Sequence, residues 1–181
     1  MSESPALPAS ASEAERLWTA HTDAEFAAKD VDATMATMVA DPCVNNVPVM
    51  SGGTGWDAVR AFYSTHFIPT LPPDVETVLV ARTIGEDQLV DELIFRFSHT
   101  ARMDWMLPVV PPTGRRIEVP LVVVVGIRGG KVSHERIYWD QASVLVQAGL
   151  LDPDELPVAG AETAAKVLAP SLPSNTLIPG S

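Results

Sequence analysis

The sequence predicts an α+β fold: a cone in which three N-terminal helices pack on a curved antiparallel sheet. Three observations support it. Before residue 68, apolar residues recur at helical spacing in three segments. From Val75 to Asp140 the chain reads as successive strands, with Gly129-Gly130 suited to a tight hairpin. Helices and strands are segregated rather than alternating, which separates the pattern from a parallel α/β sheet. A sheet that must bury both its own face and its helices curls around them, and a curled sheet leaves a cone-shaped cavity.

Each element has its own signal. Ser12 and Glu15 have capping-box spacing and open a helix over about 12–29, with Leu17, Trp18, His21, Ala24, Phe26 and Ala28 on a broad apolar side. Asp30 caps a second helix over about 31–40, and Asp41-Pro42 ends it because the residue before proline avoids the helical region. Residues 43–47 form a short strand and 51–55 a loop. Trp56, Val59, Phe62, Tyr63 and Phe67 mark a third helix over about 56–67. Strands follow at about 75–84, 88–103, 115–128 and 131–140, and 141–150 forms a closing helix. The domain spans 12–151, between a disordered lead at 1–11 and a Pro-rich tail at 152–181 without apolar period.

Composition narrows the partners. The 181 residues carry 12 Lys and Arg against 23 Asp and Glu, a formal charge of −11. Such a chain repels phosphate backbones and anionic membranes, so neither nucleic acid nor a membrane surface is an expected partner. Cys43 is alone, which excludes an intramolecular disulfide, and the start lacks the features of a signal peptide, so a cytoplasmic protein is expected. Residues 121–125 are apolar on both strand faces, so the face away from the cone needs a partner, and a homodimer through the sheet is expected.

Pro111-Pro-Thr-Gly-Arg-Arg116, Val119-Pro-Leu-Val-Val-Val-Val125, Arg128-Gly-Gly-Lys131, His134-Glu-Arg-Ile-Tyr-Trp-Asp140 and Leu145-Val-Gln-Ala-Gly-Leu150 together resemble the SnoaL-like polyketide cyclase family. That family belongs to the nuclear-transport-factor-2-like superfamily. The resemblance implies a cone with a deep pocket, often dimeric through its sheet. It also implies acid/base catalysis by an aspartate near the end of the last strand, with no metal or organic cofactor. Asp140 is the matching position.

Asp140 is flanked by Tyr138 and Trp139, and a carboxylate walled by aromatic rings loses solvation and becomes a better base. The same residue immediately precedes the closing helix, where Asp is a preferred cap. His99, near the end of the long strand, could hold a substrate oxygen or pair with Asp140, and His66, ending the third helix, could reach into the cone. His21 reads as helix packing, and His134 precedes Glu135 on the last strand. Alternation puts His134, Arg136, Tyr138 and Asp140 on one strand face and Glu135, Ile137 and Trp139 on the other, so Asp140 and Glu135 face the pocket together only through a bulge. Trp105 suits a lid. Of Asn45 and Asn46 one amide must face inward. Tyr138, Trp139, Glu135, Trp105 and Asn45 are therefore the expected substrate contacts.

The sequence contains no nucleophile elbow, Walker loop, dinucleotide fingerprint or His-x-His metal spacing. The expectation is a cofactor-free acid/base enzyme acting on a small hydrophobic carbonyl compound: a cyclase, isomerase or dehydratase. An epoxide or lactone hydrolase in the same pocket, or a non-catalytic ligand-binding or dimerisation module, fits the same residues.

Overall fold

The computed structural model describes residues 12–179. The expected lead at 1–11 lies outside the described residues. Helix α1 (Glu13–Thr22) starts at Ser12, whose side chain accepts the Glu15 N–H at 3.1 Å. It continues past Thr22 as a wider π turn over Asp23–Ala28, where the Lys29 N–H reaches back five residues to the Ala24 carbonyl. Lys29 then turns the chain at φ 53°. Asp30 caps α2 (Val31–Ala36) by accepting the Ala33 N–H at 3.0 Å.

Helix α2 is shorter than the sequence suggests, because Met38 already opens β1 (Met38–Asn46). Pro42 has no N–H for a sheet ladder, and the pairing of β1 skips from Met38 to Cys43 around it. Strand β2 (Ser51–Thr54) leads to α3 (Trp56–Phe62), which also continues as a π turn, Tyr63–Phe67. A Cβ on Gly53 would come within 2.7 Å of the Ala58 backbone, so only glycine lets α3 lie this close to β2.

The remaining strands are β3 (Glu76–Ile84), β4 (Gln88–Ser98), β5 (Arg116–Arg128) and β6 (Lys131–Trp139). Strand β4 stops at Ser98 instead of running on to 103. There the His99 N–H bonds to the Arg115 carbonyl and the Gly114 N–H returns to the His99 carbonyl, so the intervening loop leaves the ladder. It tucks Met103, Trp105, Met106 and Leu107 into the core. The six strands are ordered β2-β1-β6-β5-β4-β3. Every neighbouring pair is antiparallel except β1 and β6. Helix α1 packs against β4 and β6 and helix α3 against β1 and β2, so both lie on the same side of the sheet as the cavity.

Helix α4 (Gln141–Ala148) follows β6, and the tail then forms a helix the sequence does not announce, α5 (Glu162–Leu168). Ala164 is fully buried and the Ser143 hydroxyl donates to the Gly160 carbonyl at 2.9 Å. The contact is made by small residues and one backbone group, so no large apolar repeat marks it. Removing residues 153–181 is expected to lower the unfolding free energy by about 1–3 kcal/mol, from lost burial and one buried hydrogen bond, while the cone stays folded. Urea unfolding of the truncated chain checks this.

Candidate active site

Between the helices and the concave sheet face lies a cavity with about 170 Å³ open to the centres of water-sized molecules. That is roughly ten times what one buried water requires, so it suits a small organic molecule. Pleating decides which side chains reach it. Leu93 and Phe95 of β4, Leu121 and Val123 of β5, and Glu135 and Ile137 of β6 all face inward. Phe26, Phe62, Phe67 and Trp105 complete the apolar wall.

Two polar groups interrupt that wall. The first consists of Glu25 from the π turn after α1, Tyr63 from the π turn after α3, and Glu135 from β6. His21, one helical turn before Glu25, joins them. Its Nε2 lies 3.2 Å from both Glu25 Oε1 and Glu135 Oε1, and Tyr63 donates to Glu135 Oε1 at 2.8 Å. His21 is fully buried, and Glu25 and Glu135 are each only 4% exposed.

The hydrogen bonds fix the protons. Thr37 donates its single hydroxyl proton to the Thr34 carbonyl at 2.6 Å. Thr37 Oγ1 therefore accepts from His21 Nδ1, also at 2.6 Å. With Nδ1 donating and Nε2 facing two carboxylates, both ring nitrogens carry hydrogen, and His21 is an imidazolium. Burial works against that charge, but Glu135 and Glu25 together outweigh it and raise the imidazole pKa from 6.5 to about 10. The Trp18 ring stacks on the imidazolium at 5.2 Å and 14°. Burial holds Glu25 above the usual carboxylate range, and His21 offsets it only in part. Burial and then the two carboxylates push the Tyr63 phenol well above its usual value, so it stays a neutral donor.

The second polar group is built around Asp91, with Arg82 Nη1 also 3.6 Å from Glu15. Asp91 accepts from Arg82 Nε at 2.7 Å, from Arg82 Nη2 at 2.8 Å and from Trp18 Nε1 at 2.8 Å. Its acceptors and the guanidinium fork are both occupied. Among the described residues, His21, Glu25 and Glu135 form the group whose donor atoms come within 4.8 Å of one another, the spacing a metal ion would need. Here the imidazole sits directly on both carboxylates, with its Nε2 proton between them.

The expected site residues fall in different places. Glu135 and Trp105 line the cavity. Asp140 is exposed and caps α4, accepting the Ala142 N–H at 2.9 Å, and it lies outside the cavity lining. The pleat of β6 is regular at this point, so Glu135 pointing in requires Asp140 to point out. Tyr138 is 43% exposed on the outer face. Trp139 is buried beyond the lining, edge-on to Trp105, with its Nε1 donating to Gln141. His99 is buried apart from the cavity: Nδ1 accepts the Thr113 N–H at 3.3 Å, and burial lowers its pKa. His66 is exposed on the last turn after α3. Asn46, rather than Asn45, is the inward amide.

Sequence reasoning passed over Glu25, Tyr63 and the ionised state of His21. The available signal was His21 and Glu25 four residues apart on the apolar side of one helix, where an acidic residue is out of place.

The stability of the fold depends on pH through this cluster. His21 has a folded pKa above its unfolded value, so its stabilisation is complete below about pH 6.5 and is lost as pH rises towards 10. The raised pKa of Glu25 acts in the same direction. Chemical denaturation should therefore show stability falling from pH 6.5 to 10. The slope should largely vanish when Glu25→Gln and Glu135→Gln are combined. His21→Ala, which strands two buried carboxylates, should cost about 3–5 kcal/mol at neutral pH.

Known proteins share this architecture. A candidate SnoaL-like polyketide cyclase from Jannaschia sp. CCS1 superposes with a TM-score of 0.62 at 20% identity, over 84% of this chain and 99% of that one. A candidate polyketide cyclase from Acidithiobacillus ferrooxidans gives a TM-score of 0.60 at 16% identity, over 78% and 97%. A ketosteroid isomerase-like fold from Catenulispora acidiphila, in complex with trimethylamine, gives 0.56 at 17%, over 75% and 93%. At such identities the likeness is one of fold. No curated protein matches the sequence. Residues 18–135, which include the buried cluster from Trp18 to Glu135, match the SnoaL-like domain, and the chain belongs to that family.

Proposed function

We propose that the protein is an acid/base enzyme acting, without an organic cofactor, on a small and largely apolar carbonyl compound held in the cavity. The observation that carries the proposal is the buried imidazolium, two carboxylates and phenol set into an otherwise apolar, aromatic wall. Desolvation makes Glu25 a stronger base than a surface carboxylate. In the proposed step its carboxylate removes a proton beside the substrate carbonyl, and the electron pair moves into an enolate. Tyr63 turns its O–H from Glu135 to the enolate oxygen. Glu135 and His21 stand behind the phenol and keep it protonated and oriented. Return of the proton from Glu25 to another carbon gives isomerisation, and attack of the enolate on a second carbonyl gives cyclisation. Return of the proton to a departing hydroxyl gives dehydration.

The test is exchange of deuterium from heavy water into a panel of small cyclic ketones, read by NMR. Glu25→Gln should slow exchange by about 10²–10⁴-fold. In the parent protein the rate should fall as pH drops through the elevated pKa of Glu25, because the base is then protonated. Asp140→Asn should leave the rate unchanged, since asparagine also caps helices well. Full activity in Glu25→Gln with loss in Asp140→Asn would return the base to Asp140.

We also propose a second copy of the chain as partner for the outer sheet face. There Val122 is 37% and Tyr138 43% exposed, beside Val124 and Val90. Glu92 and Arg136 lie in the same rows, Glu92 opposite Val122 and Arg136 opposite Val124. Two-fold pairing would cover the apolar strip and set opposite charges against each other. Light scattering should give a dimer at micromolar concentration, and Val122→Asp a folded monomer.

A further inference from the structure

The charges around the cavity do not balance when all are ionised. Asp91 and Arg82 cancel each other, and Arg82 Nη1 also lies 3.6 Å from the more exposed carboxylate of Glu15 on α1, so this group supplies no spare positive charge. Glu25 and Glu135 are two carboxylates facing one imidazolium, His21, with Tyr63 neutral, and this leaves one negative charge. Among the described residues these, with Glu15 at the rim beside Arg82, are the charged and titratable groups that face the cavity from α1 and its π turn, the π turn after α3, β3, β4 and β6. In an apolar site an uncompensated charge is costly. The cluster can relieve it by taking up a proton, and a ligand can relieve it by bringing a positive charge.

The walls suit the second solution. Phe67 meets Trp105 at 66° with centroids 4.9 Å apart, Phe26 meets Phe67 at 78°, and Phe95 meets Trp105 at 72°. Rings at steep angles present π faces from several directions, the geometry that holds quaternary or protonated amines. We infer that the cavity selects ligands bearing a cationic amine, seated among these rings beside Glu25 and Glu135, and rejects anions of the same shape. The inference deepens the proposed function and rests on it for the identity of the site, because it adds a basic nitrogen to the substrate class. A cation seated beside Glu25 favours its ionised form, so ligand and proton compete for the same place, and no covalent bond changes.

Three probes of one shape and different charge test this: choline, its neutral carbon isostere 3,3-dimethylbutan-1-ol, and the anion 3,3-dimethylbutanoate. Binding to the whole chain is followed by tryptophan fluorescence, since Trp18 and Trp105 line the cavity, and by calorimetry. At pH 8, choline should bind about tenfold or more tightly than the neutral isostere, with 3,3-dimethylbutanoate weakest. The affinity of choline should fall as pH is lowered and the carboxylates take up protons, while that of the alcohol stays flat. Glu25→Gln should erase the preference, and the pH series on the unaltered protein stands independently if that variant misfolds. Equal binding of choline and the alcohol, tighter binding of the anion, or no choline binding at millimolar concentration overturns the inference. Ketone exchange does not require a cation, so any of these results can coexist with intact exchange. Lost exchange with selective choline binding would instead overturn the catalytic reading and keep the charge selectivity.

Discussion

Two carboxylates cannot be buried side by side in an apolar cone unless something shares their charge, and here that is the second proton of His21. The imidazolium touches Glu25 and Glu135 through one nitrogen and anchors through the other to Thr37, which is itself fixed to the Thr34 carbonyl. The chain of donors thus runs from α2, through α1, to the last strand of the sheet. Helical layer and sheet are joined at their centre by charge as well as by apolar packing. Removing the imidazole would leave a charge deficit, not merely a hole.

The same arrangement explains why the site is polar on one side only. His21, Tyr63, Glu25 and Glu135 hold one another by hydrogen bonds and ion pairs, and Arg82, Asp91 and Trp18 do likewise, so the polar groups gather at these two places. Aromatic rings fill much of the rest of the wall. A cavity of this kind holds its reactive groups in place before any ligand arrives, the condition under which electrostatic preorganisation is most effective.

Much of the fold was legible because its signals are local. The Ser12 and Asp30 caps and the Gly129-Gly130 hairpin each follow from a few adjacent residues. What failed was set by distant partners. Strand β1 displaces the end of α2 because β6 offers it an edge, and no residue in 38–41 declares that. Helix α5 is held by Ala164 and a hydroxyl on α4, too small a signal for periodicity. At the site, the pleat of β6 correctly opposed Glu135 to Asp140, but deciding which faced inward required His21 and Tyr63, 114 and 72 residues from Glu135 in the chain.

Both helices that close the cavity widen where they meet it, at Asp23–Ala28 and at Tyr63–Phe67. A π turn carries one residue more than an α-helix of the same rise, and each residue advances a helix by about 100°. The extra residue therefore works as a phase shift, swinging the following side chains around the axis without moving the helix ends. In a chain of this fold with one residue fewer between the positions of His21 and Glu25, the segment would close as an ordinary helix and its acidic side chain would rotate away from the sheet. Within the family, the count of residues in these two short stretches would then distinguish a charged cavity from a purely greasy one, even where the composition of the helices is the same.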